Sequence, residues 1–530
     1  MAVAETTYGR VDGTLEDGIH VFYGIPYATA PRFRPPQPHE PWVYTRRATV
    51  PGPVAPQLPD LIYEGYGGQI CARGSEDCLN LNIWTPAIDG KRRPVMFWIH
   101  GGSFLIGSGS EPDYNGAQLA RDGDAVVVTV NYRMGALGFL HLANFGEKGF
   151  EKSSNLGHRD QIAALKWVRE NIANFGGDPE TITVFGESAG SVSTQNLMVS
   201  PHSADMMKRA ILMSGPAIAA SRVGATAIAR RFLELAGVKS VAELQALPLE
   251  RILRAQADHL IEHSETMLGD SLFFPTIDGD VLPEHPLELL RRGVAADIDM
   301  LIGVTHDEAR YWLLYYPEVA ALSDAELEDW ARETFGEHAT RILKTYRAQG
   351  ANQTPAQVMA AIVGHICFHW AVGHSAIAQS RFQPNTWLYR FDVQTDMADG
   401  YYGAPHASEL PFCFGTVEVG MGDWYGKTAP SMLRAINASF SKSLIAFARN
   451  GNPNNNDIPR WEPFEPRSGA SLLFDRENRS ATHVFQDTWK LWDETIGVEG
   501  REKLTAYFKL PTAPRFKVLG VNWPETTAAD

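Results

Sequence analysis

The stretch Thr181-Ile182-Thr183-Val184-Phe185-Gly186-Glu187-Ser188-Ala189-Gly190-Ser191 constrains the fold most, because a strand-like run passes directly into a helix-like run through a Gly-x-Ser-x-Gly turn. A serine at such a turn is held in a strained backbone conformation, with small residues two positions to either side so that neighbouring chain does not clash. Its Oγ then projects at the carboxyl end of a sheet. In a chain with 47 glycines the motif alone is weak. The β-branched and aromatic strand before it, and the helix continuing through Asn196-Leu197-Met198-Val199, supply the context that the motif requires.

Two further runs, Pro94-Val95-Met96-Phe97-Trp98-Ile99 and Ala125-Val126-Val127-Val128-Thr129-Val130-Asn131, are apolar on both faces, as strands covered by helices on each side are. The first leads straight into His100-Gly101-Gly102-Ser103-Phe104. The spacing of Ile162, Leu165, Val168 and Ile172 predicts an amphipathic helix from about Asp160 to Ala173. Strands are predicted again at 209–215, 299–304 and 387–392, with helices filling 224–262 and 324–382. This alternation predicts an α/β fold built on a doubly wound, largely parallel sheet. An antiparallel hairpin from Gly9 to Tyr23 precedes it. A length of 530 residues suggests about three domains, but no linker, repeat or charge block divides the chain. One catalytic domain over 1–530 is expected, with helical insertions at about 220–295 and 310–385 walling a gorge.

The net charge of -15 at pH 7 repels phosphate backbones and anionic membranes, so neither nucleic acid nor a membrane is an expected partner. No window approaches a membrane span, and Met1 to Tyr8 has neither the basic nor the apolar region of a signal peptide, so a cytoplasmic location is expected. The cysteines, Cys71, Cys78, Cys367 and Cys413, are too few for a disulfide framework and lack zinc spacing. Cys71 and Cys78 are close enough in sequence to close a small loop, with a reduced pair as the alternative.

A serine hydroxyl needs a histidine to take its proton and a carboxylate to fix that histidine's tautomer. Where the serine sits at such a turn, the chain order is serine, acid, histidine. Candidates lie where later strands end: Thr305-His306-Asp307-Glu308, and Gly403-Ala404-Pro405-His406-Ala407-Ser408-Glu409. Loops leaving the carboxyl ends of parallel strands gather at one face. This favours His406, although chemistry alone does not choose among 16 histidines or between Asp307 and Glu308. A developing oxyanion needs preorganised N–H donors. Ala189, next after the serine, offers one, and the loop His100-Gly101-Gly102-Ser103 offers others.

Gly24-Ile25-Pro26-Tyr27-Ala28, Ser75-Glu76-Asp77-Cys78-Leu79-Asn80-Leu81-Asn82, His100-Gly101-Gly102-Ser103-Phe104, Asn131-Tyr132-Arg133-Met134-Gly135 and Gly186-Glu187-Ser188-Ala189-Gly190 together resemble the type B carboxylesterase family of α/β-hydrolases. The likeness runs from about Gly9 to Trp461 and is greatest to its bacterial para-nitrobenzyl esterase-like members. It implies Ser188 as nucleophile, Glu308 as the acid and His406 as general base, with Gly102, Ser103 and Ala189 as oxyanion donors. Glu187, Ser214 and Glu409 correspond to a buried polar cluster that supports the histidine, and Arg32 and Glu76 to a structural ion pair.

The sequence departs from the family pattern at several places. Ala309 stands where glycine usually follows the acid, and Ser103 where glycine or alanine is common. The partner of the Cys78 position falls near Ala55, so the usual disulfide is not expected in that form. His365 and Ala371 replace an aspartate and a proline in the helix lining the gorge. The tryptophan that binds choline in cholinesterases falls near Gly68, with Tyr63 and Tyr66 the nearest aromatics, which argues against choline esters. The positions that narrow the cholinesterase acyl pocket fall on Gly269 and Ser271, implying a roomier acyl side. The resemblance implies a serine carboxylesterase, monomer or homodimer, that hydrolyses a small-molecule ester through an acyl-enzyme without metal or cofactor. The alternatives are the same machinery acting on carbamates, amides or a bulky natural-product ester, and a non-catalytic binding protein of the same fold.

Overall fold

The computed structural model describes residues 2–58, 74–262, 273–314, 317–350 and 352–497. Its centre is a sheet of 13 strands. In chain order these are β1 (Ala2–Thr6), β2 (Gly9–Glu16), β3 (Ile19–Pro26), β4 (Arg46–Arg47), β5 (Asn80–Thr85), β6 (Arg93–Ile99), β7 (Val126–Val130), β8 (Gly177–Glu187), β9 (Arg209–Met213), β10 (Asp299–Thr305), β11 (Thr386–Phe391), β12 (Ser471–Phe474) and β13 (Arg479–Ala481). In space the order is β1-β2-β3-β5-β7-β6-β8-β9-β10-β11-β12-β13, with β4 beside β2. Every pair from β7 to β12 is parallel. Antiparallel pairs from β1 to β7 lead into this block, and an antiparallel β13 closes the far edge. The doubly wound parallel sheet read from the sequence is present as the middle of a larger mixed one.

Two-faced apolarity is what makes these strands central. In β6, Val95, Phe97 and Ile99 pack into one core while Met96 and Trp98 pack into another on the opposite face. β9 divides the same way, Ala210 and Leu212 to one side and Ile211 and Met213 to the other. A period of two with both faces covered is the pattern of a buried parallel strand. The helices Leu156–Asn171 and Ala189–Val199 cover one face through Leu165, Val168, Leu197 and Met198, and Pro430–Asn450 covers the other through Phe440, Leu444 and Phe447. Register aligns the strand ends: Ile99 pairs with Gly186, and Glu187 with Met213. The loops after β6, β8 and β9 therefore leave the sheet at one edge.

Some segments differ from the sequence expectation. The helix predicted from Asp160 begins at Leu156, because Asp160 is not a solvent-facing start: it is fully buried and pairs with Arg133 at 2.7 Å. β1 was not anticipated, since its alternation of buried Ala2 and Ala4 with outward Val3 and Glu5 is short and carried by small residues. The expectation that no stretch approaches a membrane span is also corrected. Pro355–Ser380 is a 26-residue helical run long and apolar enough by length and composition, but 83% of its apolar window is buried inside the protein. A helix apolar all round and covered by protein is a core helix. A π-helical turn, His365–Trp370, interrupts it.

Arg32 and Glu76 form the expected ion pair, Nε to Oε2 at 2.7 Å. Cys78 is a buried free thiol. Tyr63, Tyr66, Gly68, Cys71, Gly269 and Ser271 lie outside the described residues.

Candidate active site

β8 ends at Glu187 and the helix Ala189–Val199 begins two residues later, leaving Ser188 alone to turn the chain. It does so at φ 55°, ψ −121°, a conformation rare for any residue with a Cβ. The Ser188 N–H donates to Met213 O at 2.9 Å and its carbonyl accepts from Val192 N at 2.9 Å, so the strain is held by the strand on one side and the helix on the other. The flanking glycines are required by close approach: a Cβ on Gly190 would lie 1.9 Å from Ile99 O, and one on Gly186 would lie 2.4 Å from the Gly190 carbonyl carbon.

The loop after β6 packs against this elbow. A Cβ on Gly101 would lie 2.8 Å from Glu187 O and 3.2 Å from Ser188 Cβ, so only glycine lets the two chains meet. Gly102, Ser103 and Phe104 follow with φ of 96°, 55° and 60°. That curled turn is pinned by the motif Asn131-Tyr132-Arg133-Met134-Gly135. Tyr132 stacks on His100 at 4.5 Å and donates its hydroxyl to His100 O at 2.8 Å, and Gly135 N–H donates to Phe104 O at 2.6 Å. Leu105 and Ile106 N–H groups donate to Gly102 O. Among the described residues, the N–H groups of Gly102, Ser103 and Ala189 donate to no acceptor. Ala189 N–H belongs to the first turn of a helix, where the macrodipole favours an anion.

The loops after β10 and β11 bring the remaining groups in. His406 Nδ1 lies 2.6 Å from Glu308 Oε2. The other carboxylate oxygen, Glu308 Oε1, accepts from Ser214 Oγ at 2.6 Å and from Thr305 N–H at 2.8 Å. Asp307 turns elsewhere, accepting from Ala404 N–H at 3.1 Å and pairing with Arg310 at 3.0 Å. It ties the acid loop to the histidine loop rather than touching the imidazole. Ser214 thus sits on the acid, while Glu187 faces the histidine. His406 Nε2 lies 3.0 Å from Glu187 Oε1, without the angle of a hydrogen bond, so Nε2 has no hydrogen-bond partner. Glu409 is fully buried, with Tyr389 OH 3.5 Å from its Oε1. Ser188, His406, Glu187, Gly102 and Ser103 line one cavity, together with Tyr311 and Trp312.

Burial disfavours the imidazolium of His406, but the facing carboxylates, Glu187 foremost and then Glu308 and Glu409, outweigh it and push its pKa up to about 9. Burial raises the Glu187 carboxyl to about 7, with His406 opposing and Glu308 adding to the rise. Burial also raises Glu409 well above the usual carboxyl range. The cluster therefore holds protons that isolated carboxylates would release. Two bare acceptors 3.0 Å apart repel, so a proton resides on Glu187 or on His406 Nε2.

Three contributors were not singled out from sequence. Thr305 acts through its backbone, and only its place at the strand end, two residues before Asp307, pointed to it. Trp312 and Phe368 flank the imidazole, ring centres at 5.1 Å and 4.9 Å; apolar patterning gives no sign that they meet there. No group of metal-ligating side chains occurs among the described residues.

The carboxylesterase family model matches residues 1–492. A para-nitrobenzyl esterase of Bacillus subtilis is 36% identical over 482 residues, covering 90% of this chain and 95% of the relative. A phenmedipham hydrolase of Pseudarthrobacter oxydans is 35% identical over 490 residues, covering 89% and 94%. A solved carboxylesterase of Geobacillus stearothermophilus superimposes with a TM-score of 0.82 at 38% identity, covering 93% of this chain and 100% of that one. With this likeness along nearly its whole length, the chain belongs to the carboxylesterase family, has the α/β-hydrolase fold and is a carboxylic ester hydrolase.

Proposed function

We propose that Ser188 is the nucleophile, His406 the general base and acid, and Glu308 the carboxylate that orients it, acting on a small-molecule ester through an acyl-enzyme. The observation that carries this reading is the 2.6 Å contact of His406 Nδ1 with Glu308 Oε2, at the sheet edge where Ser188 is held at φ 55°. In the neutral ring, with Nδ1–H given to Glu308, Nε2 keeps its lone pair for the serine proton. Ser188 Oγ attacks the ester carbonyl as His406 Nε2 takes that proton. The N–H groups of Gly102, Ser103 and Ala189 stabilise the tetrahedral anion. His406 then returns the proton to the leaving alcohol, and a water activated by the same nitrogen releases the acid. Catalytic hydrogen bonds are often formed only once substrate is bound, so the unengaged Nε2 of the free enzyme is compatible with this role.

The net charge of -15 repels phosphate backbones and so favours a small-molecule ester, rather than nucleic acid, as what the protein meets. A second reading, the same machinery on other acyl substrates, is favoured by the phenmedipham hydrolase and fumonisin B1 esterase among the relatives. Ser188→Ala is expected to lower kcat about a million-fold with the fold intact. Retention of a few per cent of activity by a clean preparation contradicts the nucleophile assignment. Comparing kcat/KM on aryl esters, phenmedipham and anilides separates the two substrate readings.

A further inference from the structure

We infer that His369 is a positioning residue for ester hydrolysis, fixing Thr305 and, through Thr305, the carboxylate of Glu308. This rests on the proposed role of Glu308.

The His369 Nε2 atom lies 2.8 Å from Thr305 O. A carbonyl only accepts, so Nε2 carries the hydrogen. Thr305 is the last residue of β10, and its own N–H donates to Glu308 Oε1. Both the amide and the carbonyl of Thr305 are thereby fixed, and the Thr305–His306 peptide is held at both ends, its carbonyl by His369 and its N–H by Phe391 O at 2.9 Å. The acid leaves the strand from a backbone with little freedom to turn.

His369 is itself held on several sides. It is 2% exposed, its ring stacks on His365 with centres 4.3 Å apart, and its carbonyl accepts from Trp489 Nε1 at 3.0 Å. His365 Nδ1 lies 2.9 Å from Tyr346 OH, which accepts from Trp492 Nε1 at 3.0 Å. This gives a role to His365, one of the departures from the family pattern. Burial first, and the neighbouring His365, Arg390 and His306 after it, lower the His369 pKa well below the usual value, so the ring stays neutral and the tautomer fixed. The π-helical turn that carries these residues also presents Phe368 to the His406 ring at 4.9 Å. Adjacent residues of one irregular turn thus touch the base and the strand end that carries the acid, and π turns recur at functional sites.

The test compares His369→Gln, whose Nε2 reaches as far as the imidazole Nε2, with His369→Asn, which is polar but too short. Gln is expected to keep kcat on a p-nitrophenyl ester within about threefold of wild type, while Asn lowers it about tenfold with KM changed less than about twofold. His369→Met, apolar and of similar length, serves if Asn does not fold, with the same expected loss. Glu308→Gln is measured in parallel and is expected to fall by about ten-thousand-fold. Wild-type kcat in Asn or Met, equal losses in Gln and Asn, or a loss confined to KM overturns the inference while an inactive Glu308→Gln leaves the triad standing. An active Glu308→Gln removes both.

Discussion

His406 Nε2 lies 3.0 Å from Oε1 of Glu187, the residue immediately before Ser188 in the chain. The imidazole proposed as the base is thus approached by two carboxylates, Glu308 at one ring nitrogen and Glu187 at the other. Each stabilises the imidazolium, and only the neutral ring can take a proton from Ser188.

The sign of the resulting pH dependence follows directly. A base whose pKa is pushed up to about 9 is charged and idle at acid pH, so kcat/KM of the wild type rises through the alkaline range. Glu187→Gln removes the carboxylate that raises it most, so the pKa falls. The acid limb of the pH–kcat/KM profile is expected to move to lower pH by about one pH unit or more. An unchanged limb contradicts a charged Glu187 facing the base.

Ser214 Oγ donates to Glu308 at 2.6 Å with both groups buried. Ser214→Ala deletes that donor and leaves Thr305 N–H as the other support of the same oxygen. A loss of about tenfold in kcat with KM little changed is expected, measured on a single aryl ester.

Gly190 admits no side chain, since its Cβ would lie 1.9 Å from Ile99 O of β6. Backbone atoms of a central strand cannot retreat as a flexible side chain can. Gly190→Ala is expected to yield protein that is inactive and lower in Tm, or fails to accumulate folded. A variant with wild-type Tm and activity would show that the elbow does not sit on β6 as described.

Away from the catalytic groups, Arg133 and Asp160 form a buried pair at 2.7 Å, and Arg133 Nη1 donates to Arg34 O at 2.8 Å. Asp160→Ala leaves a buried guanidinium without its carboxylate. A loss of about 3–5 kcal/mol is expected by denaturant unfolding. Because Met134 and Gly135 follow Arg133 directly, the turn at 102–104 that Gly135 pins, the proposed source of oxyanion donors, is expected to loosen as well, seen as a lower kcat in the folded fraction.

Local sterics made the elbow readable. Gly186, Ser188 and Gly190 lie within five residues and form a recognisable motif in strand-turn-helix context, although part of what forbids a side chain there, Ile99 O of β6, is distant in sequence. The central strands were readable because burial on both faces removes the polar alternation. The choice between Asp307 and Glu308 was not readable from chemistry, because it depends on Ala404 and Arg310 capturing the aspartate; the family resemblance pointed to Glu308. The start of the helix at Leu156 was missed because the apolar spacing that marks it begins at Ile162, and the first turns instead bury the polar His158 and Asp160, the latter against the distant Arg133. His365 showed in the sequence only as a departure from the family pattern, and His369 gave no signal, since a π turn leaves the apolar pattern around it unbroken.

The most direct test is to trap the acyl-enzyme. The enzyme is mixed with a slowly deacylating ester, quenched in acid, and mapped by peptide mass spectrometry. One acyl group per chain on the peptide containing Ser188, absent from Ser188→Ala, is the predicted result. Turnover of the ester with no adduct, or with the acyl group on another residue, contradicts it.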